Sequence, residues 1–525
     1  MKKPLFTSVP LVLIAIILLS AVWTSSSTVP LNAAGTTSAS IATSTPIKHL
    51  VVIFQENVSF DHYFATYPHA MNGANGSRFI PDTNTPSVNG LSSTPALLTS
   101  NPNSANPFRL DPSQQRTCDI THSYNGEQKQ YNGGLIDKFV QFSDPIFSFN
   151  PKEHGTCNPN QVMGYYDGNT VTALWNYAQH FAMSDNFYGS TFGPSVPGHI
   201  NLISGQTHGA LPANAKGVIN GTVIGNPDPI RDDCSPSFLP PSGMMSMLGK
   251  NIGNLLNNKN ITWGWFSAGF KPSINTSDGK WVCTFTNHTS LGGWNSHDYY
   301  PDVEPFQYYN STSNAHHLPP TSTSMIGYTD RSNHQYDLSN FWNAAEVGNL
   351  PAVSFIKAPT YQDTHPIDSD PHDEQIFIVN TINHLQSLPT WNDTAIIITY
   401  DDSGGWYDHV MPPIISQSSD PKNDALLGAN MCGHMQVGTY ADRCGYGPRQ
   451  PLLVISTYAK TNFVDHTITD QTAILRFIED NWGLGRIGNQ SFDSKAGSLM
   501  HMFDFTVQKA QKLLLDPSTG LRRRS

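Results

Sequence analysis

Five short apolar runs punctuate the chain: "HLVVIF" from His49, "ITWGWF" from Ile261, "AVSFI" from Ala352, "AIIITY" from Ala395 and "LLVIS" from Leu452. Each is near-continuous rather than alternating and rich in β-branched or aromatic residues, the pattern of strands buried on both faces of a parallel sheet. Between them, apolar residues recur at helical spacing in "TALWNYAQHFAMSDNF" from Thr172, "DEQIFIVNTINHLQSL" from Asp373 and "TDQTAILRFIEDNW" from Thr469. The dipeptides "HD" before "EQIFI" and "TD" before "QTAILRF" supply side chains expected to cap first turns. The alternation predicts an α/β fold, a mostly parallel sheet sandwiched by helices with long loop insertions. The interior shows neither a low-complexity linker nor a repeat, so a single decorated domain is expected.

The N-terminus departs from this pattern. Two lysines, an apolar stretch from Leu11 to Val22 and small residues around "LNAAG" read as a signal peptide over residues 1–34, followed by a Ser/Thr-rich spacer over 35–45. An uncleaved membrane anchor is the rival reading of the same stretch. Export suits the six cysteines, whose sequence-nearest pairings are Cys118 with Cys157, Cys234 with Cys283, and Cys432 with Cys444. None stands in a C-x-x-C motif, which makes structural zinc the weaker use. A formal charge of -11 with no interior basic stripe argues against nucleic acid as a partner. Sequons such as those at Asn220, Asn260, Asn275, Asn287 and Asn310 suit a glycosylated surface in a host that glycosylates.

In open α/β sheets the ligand crevice lies beyond the carboxyl ends of the strands, which directs attention to polar residues that end apolar runs. "VVIFQEN" ends in Glu56 and Asn57, and "AIIITYDDSGG" in Asp401 and Asp402. Three carboxylates and an amide oxygen gathered at low dielectric repel one another unless a cation neutralises them, and all-oxygen ligation suits a hard divalent ion. The plainer alternative is that Asp401 and Asp402 open a turn before Gly404 and Gly405 while Glu56 caps a helix. "GSTFGPSVPGHINLISG" places Ser195 in a Gly/Pro-rich turn ahead of a helical stretch, where a nucleophilic hydroxyl would meet amide donors. It is not a G-x-S-x-G elbow, because Pro197 takes the final glycine position, and an ordinary turn serine is the competing reading. His122, His365 and His372 lie in polar, turn-rich segments suited to presenting a general acid.

Taken in order, these segments resemble a known family. "ENVSFDHYF", Glu56 to Phe64, is similar to the E-N-R-S-F-D-H-Y-F motif that opens the bacterial phospholipase C and acid phosphatase superfamily of phosphoesterases. The likeness continues through "HSYNGEQKQYNGGLIDKFV", "FGPSVPG", "EPFQYY", "TYDDSGGWYDHVMPP" and "CGYGPRQPLLVIS" to "VDHTITDQTAILRFIEDNW", over about residues 46–483, leaving 484–525 as a C-terminal tail. The resemblance implies an alkaline-phosphatase-like core and one divalent metal ion held by Glu56, Asn57, Asp401 and Asp402. It implies Ser195, after Gly193 and Pro194, as the nucleophile, with His122 and His365 as catalytic histidines and His372 as a competing alignment for the second.

The activity implied is hydrolysis of phosphate esters through a phosphoserine, of phospholipase C type on phosphatidylcholine-like diesters at a membrane surface, or of acid phosphatase type on monoesters. Two departures stand out: Asp302 and Val303 replace a pair of histidines, and Val58 replaces the arginine of the opening motif. A sulfatase is the nearest rival chemistry, but His199 stands where its S-x-P-x-R site needs arginine. A glycosylated surface-binding protein that has lost catalysis is the rival from another class.

Overall fold

In the computed structural model, residues 42–523 are described other than 72–78, 147–156, 236–242, 272–273, 276–280, 283–285, 434–440, 442 and 510–511. The signal-like segment and most of the spacer, and with them the question of export, lie outside the described residues. So does Cys283, and with it the pairing to Cys234. The other two sequence-nearest pairings, Cys118–Cys157 and Cys432–Cys444, are formed.

One eight-stranded sheet organises the chain. In sequence order its strands are β1 (His49–Gln55), β2 (Ala182–Ser184), β3 (Trp263–Ser267), β4 (Gln335–Asp337), β5 (Val353–Lys357), β6 (Thr394–Tyr400), β7 (Leu452–Ser456) and β8 (Phe463–Asp465). Across the sheet they run β4-β3-β5-β1-β6-β7-β2-β8. Every residue of β3, β5, β6 and β7 is buried, as are all but the first of β1, so both faces are covered as the continuous apolar runs predict. Each fully buried Ile or Val of these strands contributes about 1.5–3 kcal/mol, which makes the sheet the centre of the hydrophobic core.

The expectation of parallel strands holds from β4 to β6 and fails at β7, which is antiparallel to both β6 and β2. An apolar run buried on both faces reads the same in either direction, so the orientation of "LLVIS" was invisible in its composition. The helical stretch from Thr172 also ends early. The helix stops at His180, and Ala182–Ser184, which continues its apolar spacing, is instead β2.

The helices that bear on the site are α1 (Phe60–Phe64), α2 (Tyr124–Tyr131), α3 (Thr172–His180), α4 (Ser195–Ser204), α5 (Leu338–Glu346), α6 (Pro371–Ser387) and α7 (Thr472–Trp482). In α7, Ile474, Leu475, Ile478 and Trp482 fall on one buried face. The N-cap is Gln471, whose side chain makes no capping bond; Asp470, one residue earlier, accepts the Thr472 N–H at 3.2 Å. At α6 the cap lies earlier than the "HD" reading placed it. Asp370 accepts from the backbone N–H of His372 and Asp373, and Pro371 opens the helix because its missing N–H costs nothing there. The C-terminal segment packs back on α6, with Leu513 and Leu515 buried and their carbonyls accepting from Gln386 and Asn383.

Candidate active site

Of three neighbouring strands, β1 and β6 end at one level and β5 ends one residue earlier. In register, Gln55 of β1 pairs with Tyr400 of β6, so Glu56 and Asp401 follow side by side, while Ile53 of β1 pairs with Ile356 of β5, whose last residue is Lys357. The two turns are then stitched together. The Asp401 N–H donates to Gln55 O (3.0 Å), the Val58 N–H to Asp402 O (3.0 Å), and Asp401 Oδ1 accepts from the N–H of both Asn57 (2.9 Å) and Asp402 (2.7 Å). Asn57 sits at φ 58°, a left-handed conformation that asparagine tolerates better than most residues. Gly404 opposite it has φ 58° and leaves no room for a Cβ, which would meet Asn57 O at 2.7 Å. Glu56 caps no helix; Ser59 accepts the capping bond of α1 from the His62 N–H.

Helix α4 delivers Ser195 as its first residue, directly after Gly193 and Pro194. A side chain at Gly198 would run into the carbonyl of Asp401, so this glycine lets α4 approach the end of β6. The Ser195 hydroxyl consequently points to Asp402, with Oγ 3.4 Å from Oδ2. His122 Nε2 lies 3.8 Å from the same carboxylate oxygen, while its Nδ1 donates to Ile120 O at 2.5 Å. Glu56, Ser195, Asn226, Asp302, His365 and Asp368 are among the residues around a pocket of about 260 Å³. His372 is placed elsewhere, its Nε2 donating to Ser518 O on the C-terminal segment.

The geometry therefore gathers Glu56, Asn57, Asp401 and Asp402 with Ser195 and His122, and puts His365 on the wall of the pocket that contains Ser195 and Glu56. Two residues the strand-end reasoning passed over join them. Lys357 Nζ is 2.9 Å from Glu56 Oε1 and 2.6 Å from Asp363 Oδ2, all buried. His199, four residues after Ser195 on α4, is fully buried, with Nε2 3.6 Å from Glu56 Oε1 and Nδ1 3.7 Å from Asp401 Oδ2. Lys357 ends an apolar strand just as Glu56 and Asp401 do and was legible by the same rule. His199 was signalled only by an imidazole between Val196–Pro197 and Ile200.

The electrostatics are those of a crowded anionic site. Burial together with the charges of Asp402 and Glu56 pushes Asp401 well above the usual carboxylate range. Burial also pushes Asp402 up, to about 6, against the opposing charge of His122. Burial alone would raise Glu56 too, but the Lys357 ammonium holds it below the usual range. His122 and His365 overcome burial and sit above the ordinary imidazole value, the first through Asp402 and Asp119, the second through its hydrogen bond to Asp368 and the charge of Asp119. His199, where burial dominates, is pushed down to about 4 and is neutral.

A cation fits this donor set. Glu56 Oε2, Asn57 Oδ1 and Asp401 Oδ2 are buried oxygens without a hydrogen-bond donor, an arrangement costly in an empty pocket and expected around a divalent ion. Glu56, His199 and Asp401 each offer a ligand atom, all within 4.8 Å of one another.

Glu127 on α2 supports both turns from behind. Its Oε2 accepts the Gly193 N–H (2.9 Å) and its Oε1 the Ser403 hydroxyl (2.6 Å), which ties the turn before Ser195 to the turn after Asp402. Burial and the Asp402 charge push its carboxyl up to about 8, so at neutral pH it is mostly the neutral acid and nearly isosteric with glutamine. Glu127→Gln is expected to retain activity within about threefold, whereas Glu127→Ala lowers kcat about 10–100-fold with bound metal unchanged. Steady-state kinetics and metal analysis of the two variants check this.

The sheet thus presents a carboxylate cluster at the ends of two strands, with a serine at the start of a neighbouring helix beside it, and the wider sequence places the chain in a family. The chain belongs to the Phosphoesterase family, whose model matches residues 47–485. It is 26% identical over 448 residues to the non-hemolytic phospholipase C of Burkholderia pseudomallei, covering 82% of this chain and 55% of that protein. It is 24% identical over 485 residues to phospholipase C B of Mycobacterium tuberculosis, covering 88% and 78%. The chain thus spans about half the length of the Burkholderia protein. Solved structures that align with it include an alkaline phosphatase superfamily protein from Vibrio parahaemolyticus, 12% identical, with 62% and 65% of the two chains covered and a TM-score of 0.28.

Proposed function

We propose that this chain is an exported, metal-dependent phosphoric ester hydrolase of the phospholipase C type, acting on choline-like phosphodiesters through a serine-bound intermediate. The observation that carries the proposal is Ser195 Oγ at 3.4 Å from Asp402 Oδ2, in a turn joined to Glu56, Asn57 and Asp401. The phospholipase C relatives support the reaction class, and the signal-like N-terminus supports export.

Glu56, Asn57, Asp401 and Asp402 would hold the divalent ion, which when bound supplies Lewis acidity at a phosphoryl oxygen and lowers the pKa of the nearby hydroxyl. Ser195 directs its proton toward Asp402 Oδ2 as Oγ attacks phosphorus in line and the ester P–O bond to the departing alcohol breaks. His365, held protonated beside Asp368, gives its proton to the leaving oxygen. Water then gives one proton to His365 as its oxygen bonds to phosphorus, the P–Oγ bond breaks, and Oγ takes back its proton from Asp402, which returns both groups to their starting states. His122, whose pKa Asp402 and Asp119 raise against burial and whose Nε2 lies 3.8 Å from Asp402, stands on the nucleophile's side to balance charge there.

The pocket wall bears on substrate. Asp119, Asp302 and Asp368 line it together with Tyr300. Three carboxylates and an aromatic ring suit a quaternary ammonium headgroup and disfavour a dianionic monoester. We expect kcat/KM for p-nitrophenyl phosphorylcholine to exceed that for p-nitrophenyl phosphate at least tenfold, with both activities abolished by chelator. The inverse ratio would make the protein an acid phosphatase. No turnover of either, or of phosphatidylcholine, from acid to alkaline pH would leave a non-catalytic binding scaffold.

A further inference from the structure

We infer that His199 is a nitrogen ligand of the proposed cation site, which makes the site a mixed nitrogen and oxygen centre selective for ions such as Zn(II) or Mn(II) over Mg(II). The inference rests on the metal reading above and adds to it a ligand that strand-end logic did not supply.

The tautomer of His199 follows from its partner. Nδ1 lies 2.9 Å from the backbone carbonyl of Ser195, which only accepts, so Nδ1 carries the proton and donates it. Nε2 is thereby left with its lone pair outward, the arrangement in which metal-bound histidines are found, one ring nitrogen fixed on a carbonyl and the other free to ligate. The ring is clamped, with Phe54 edge-on at 4.9 Å and Trp265 at 6.1 Å, so Nε2 cannot swing to another partner.

What Nε2 faces is the decisive point. It is fully buried, has no hydrogen-bond partner and lies 3.6 Å from Glu56 Oε1. Lys357 already meets the charge on Oε1 at 2.9 Å, but the Nε2 lone pair and the oxygens Glu56 Oε2 and Asp401 Oδ2 stay buried without a donor, a set that a cation shared among them satisfies. The spacing allows it, since ligand atoms of Glu56, His199 and Asp401 all lie within 4.8 Å of one another. An imidazole nitrogen favours borderline transition ions, whereas Mg(II) prefers oxygen donors throughout.

The chain position also makes sense. Ser195 and His199 are one helical turn apart, so the Nδ1–H bond to the Ser195 carbonyl couples the orientation of the ligand to the residue that bears the nucleophile.

The test needs no activity. Full-length protein labelled with ¹⁵N-histidine and loaded with one equivalent of Mn(II) should show a single directly bound imidazole nitrogen by electron spin-echo modulation. His199→Asn, whose amide can still donate to the Ser195 carbonyl, should lose that signal. In titrations, the same variant should bind Zn(II) at least tenfold more weakly with Mg(II) affinity changed less than threefold. Bound Mn(II) with no nitrogen coupling in the parent protein would overturn the inference and leave the oxygen-ligated metal site standing. So would equal weakening of Zn(II) and Mg(II) in the variant, which marks a purely structural role. Failure of the parent to bind any of the three ions would instead remove the metal reading itself. The parent measurement holds even if the variant does not fold.

Discussion

Ser195→Ala is expected to abolish phosphate-ester hydrolysis while leaving the content of divalent metal unchanged. The hydroxyl lines the pocket with an acceptor for its proton 3.4 Å away on Asp402. Removing a covalent nucleophile from a preorganised site costs about 10⁴-fold or more in kcat, with binding and electrostatics accounting for what remains. The metal should stay because the unpartnered oxygens belong to Glu56, Asn57 and Asp401. Acid-quenched parent enzyme should yield a phosphorylated serine from labelled substrate, and the variant none. The fold should persist, since Ser195 is the first residue of α4, whose N-terminal N–H of Val196 is satisfied by Asn226 Oδ1 at 3.1 Å. A Ser195→Ala enzyme with parental turnover would remove the nucleophile assignment.

Much of this site was legible because strand ends carry the chemistry in an α/β sheet, and a strand end is visible as the place where an apolar run meets polar residues. That rule found Glu56, Asn57, Asp401 and Asp402 from two runs 345 residues apart, Glu56 to Asp401. It could not show that β1 and β6 are neighbours in matching register, which is what brings the two pairs together. It stopped one residue short on "AVSFI", and so missed Lys357. Residues that act from within helices left weaker marks. His199 looked like a mismatch to a sulfatase motif, and Glu127 like one more polar residue in a polar stretch. Short strands escaped for a related reason. Ala182–Ser184, Gln335–Asp337 and Phe463–Asp465 are three residues each, too few to show a period of two.

Asp401→Asn should lose both metal and activity, and the reason is that the two oxygens of Asp401 have different tasks. Oδ1 accepts the N–H groups of Asn57 and Asp402 and so builds the turn, whereas Oδ2 is buried, unpartnered and turned toward the cation site. Asparagine keeps the first function through its carbonyl oxygen and replaces the second with an NH₂ group that repels a cation. We expect metal affinity to fall at least about 100-fold and kcat about 10⁴-fold, with the fold intact.

Stability in the metal-free state should move the other way. Burial and the neighbouring carboxylates raise the pKa of Asp401 in the folded protein above its unfolded value, so the folded state binds the extra proton and stability falls as pH rises from the unfolded pKa toward the folded one. The variant lacks that loss. Chelated Asp401→Asn should therefore melt at or above the chelated parent at neutral pH and show a flatter dependence on pH, while added Zn(II) or Mn(II) stabilises the parent alone. A chelated variant that melts well below the chelated parent would mean that Asp401 holds the fold rather than a cation.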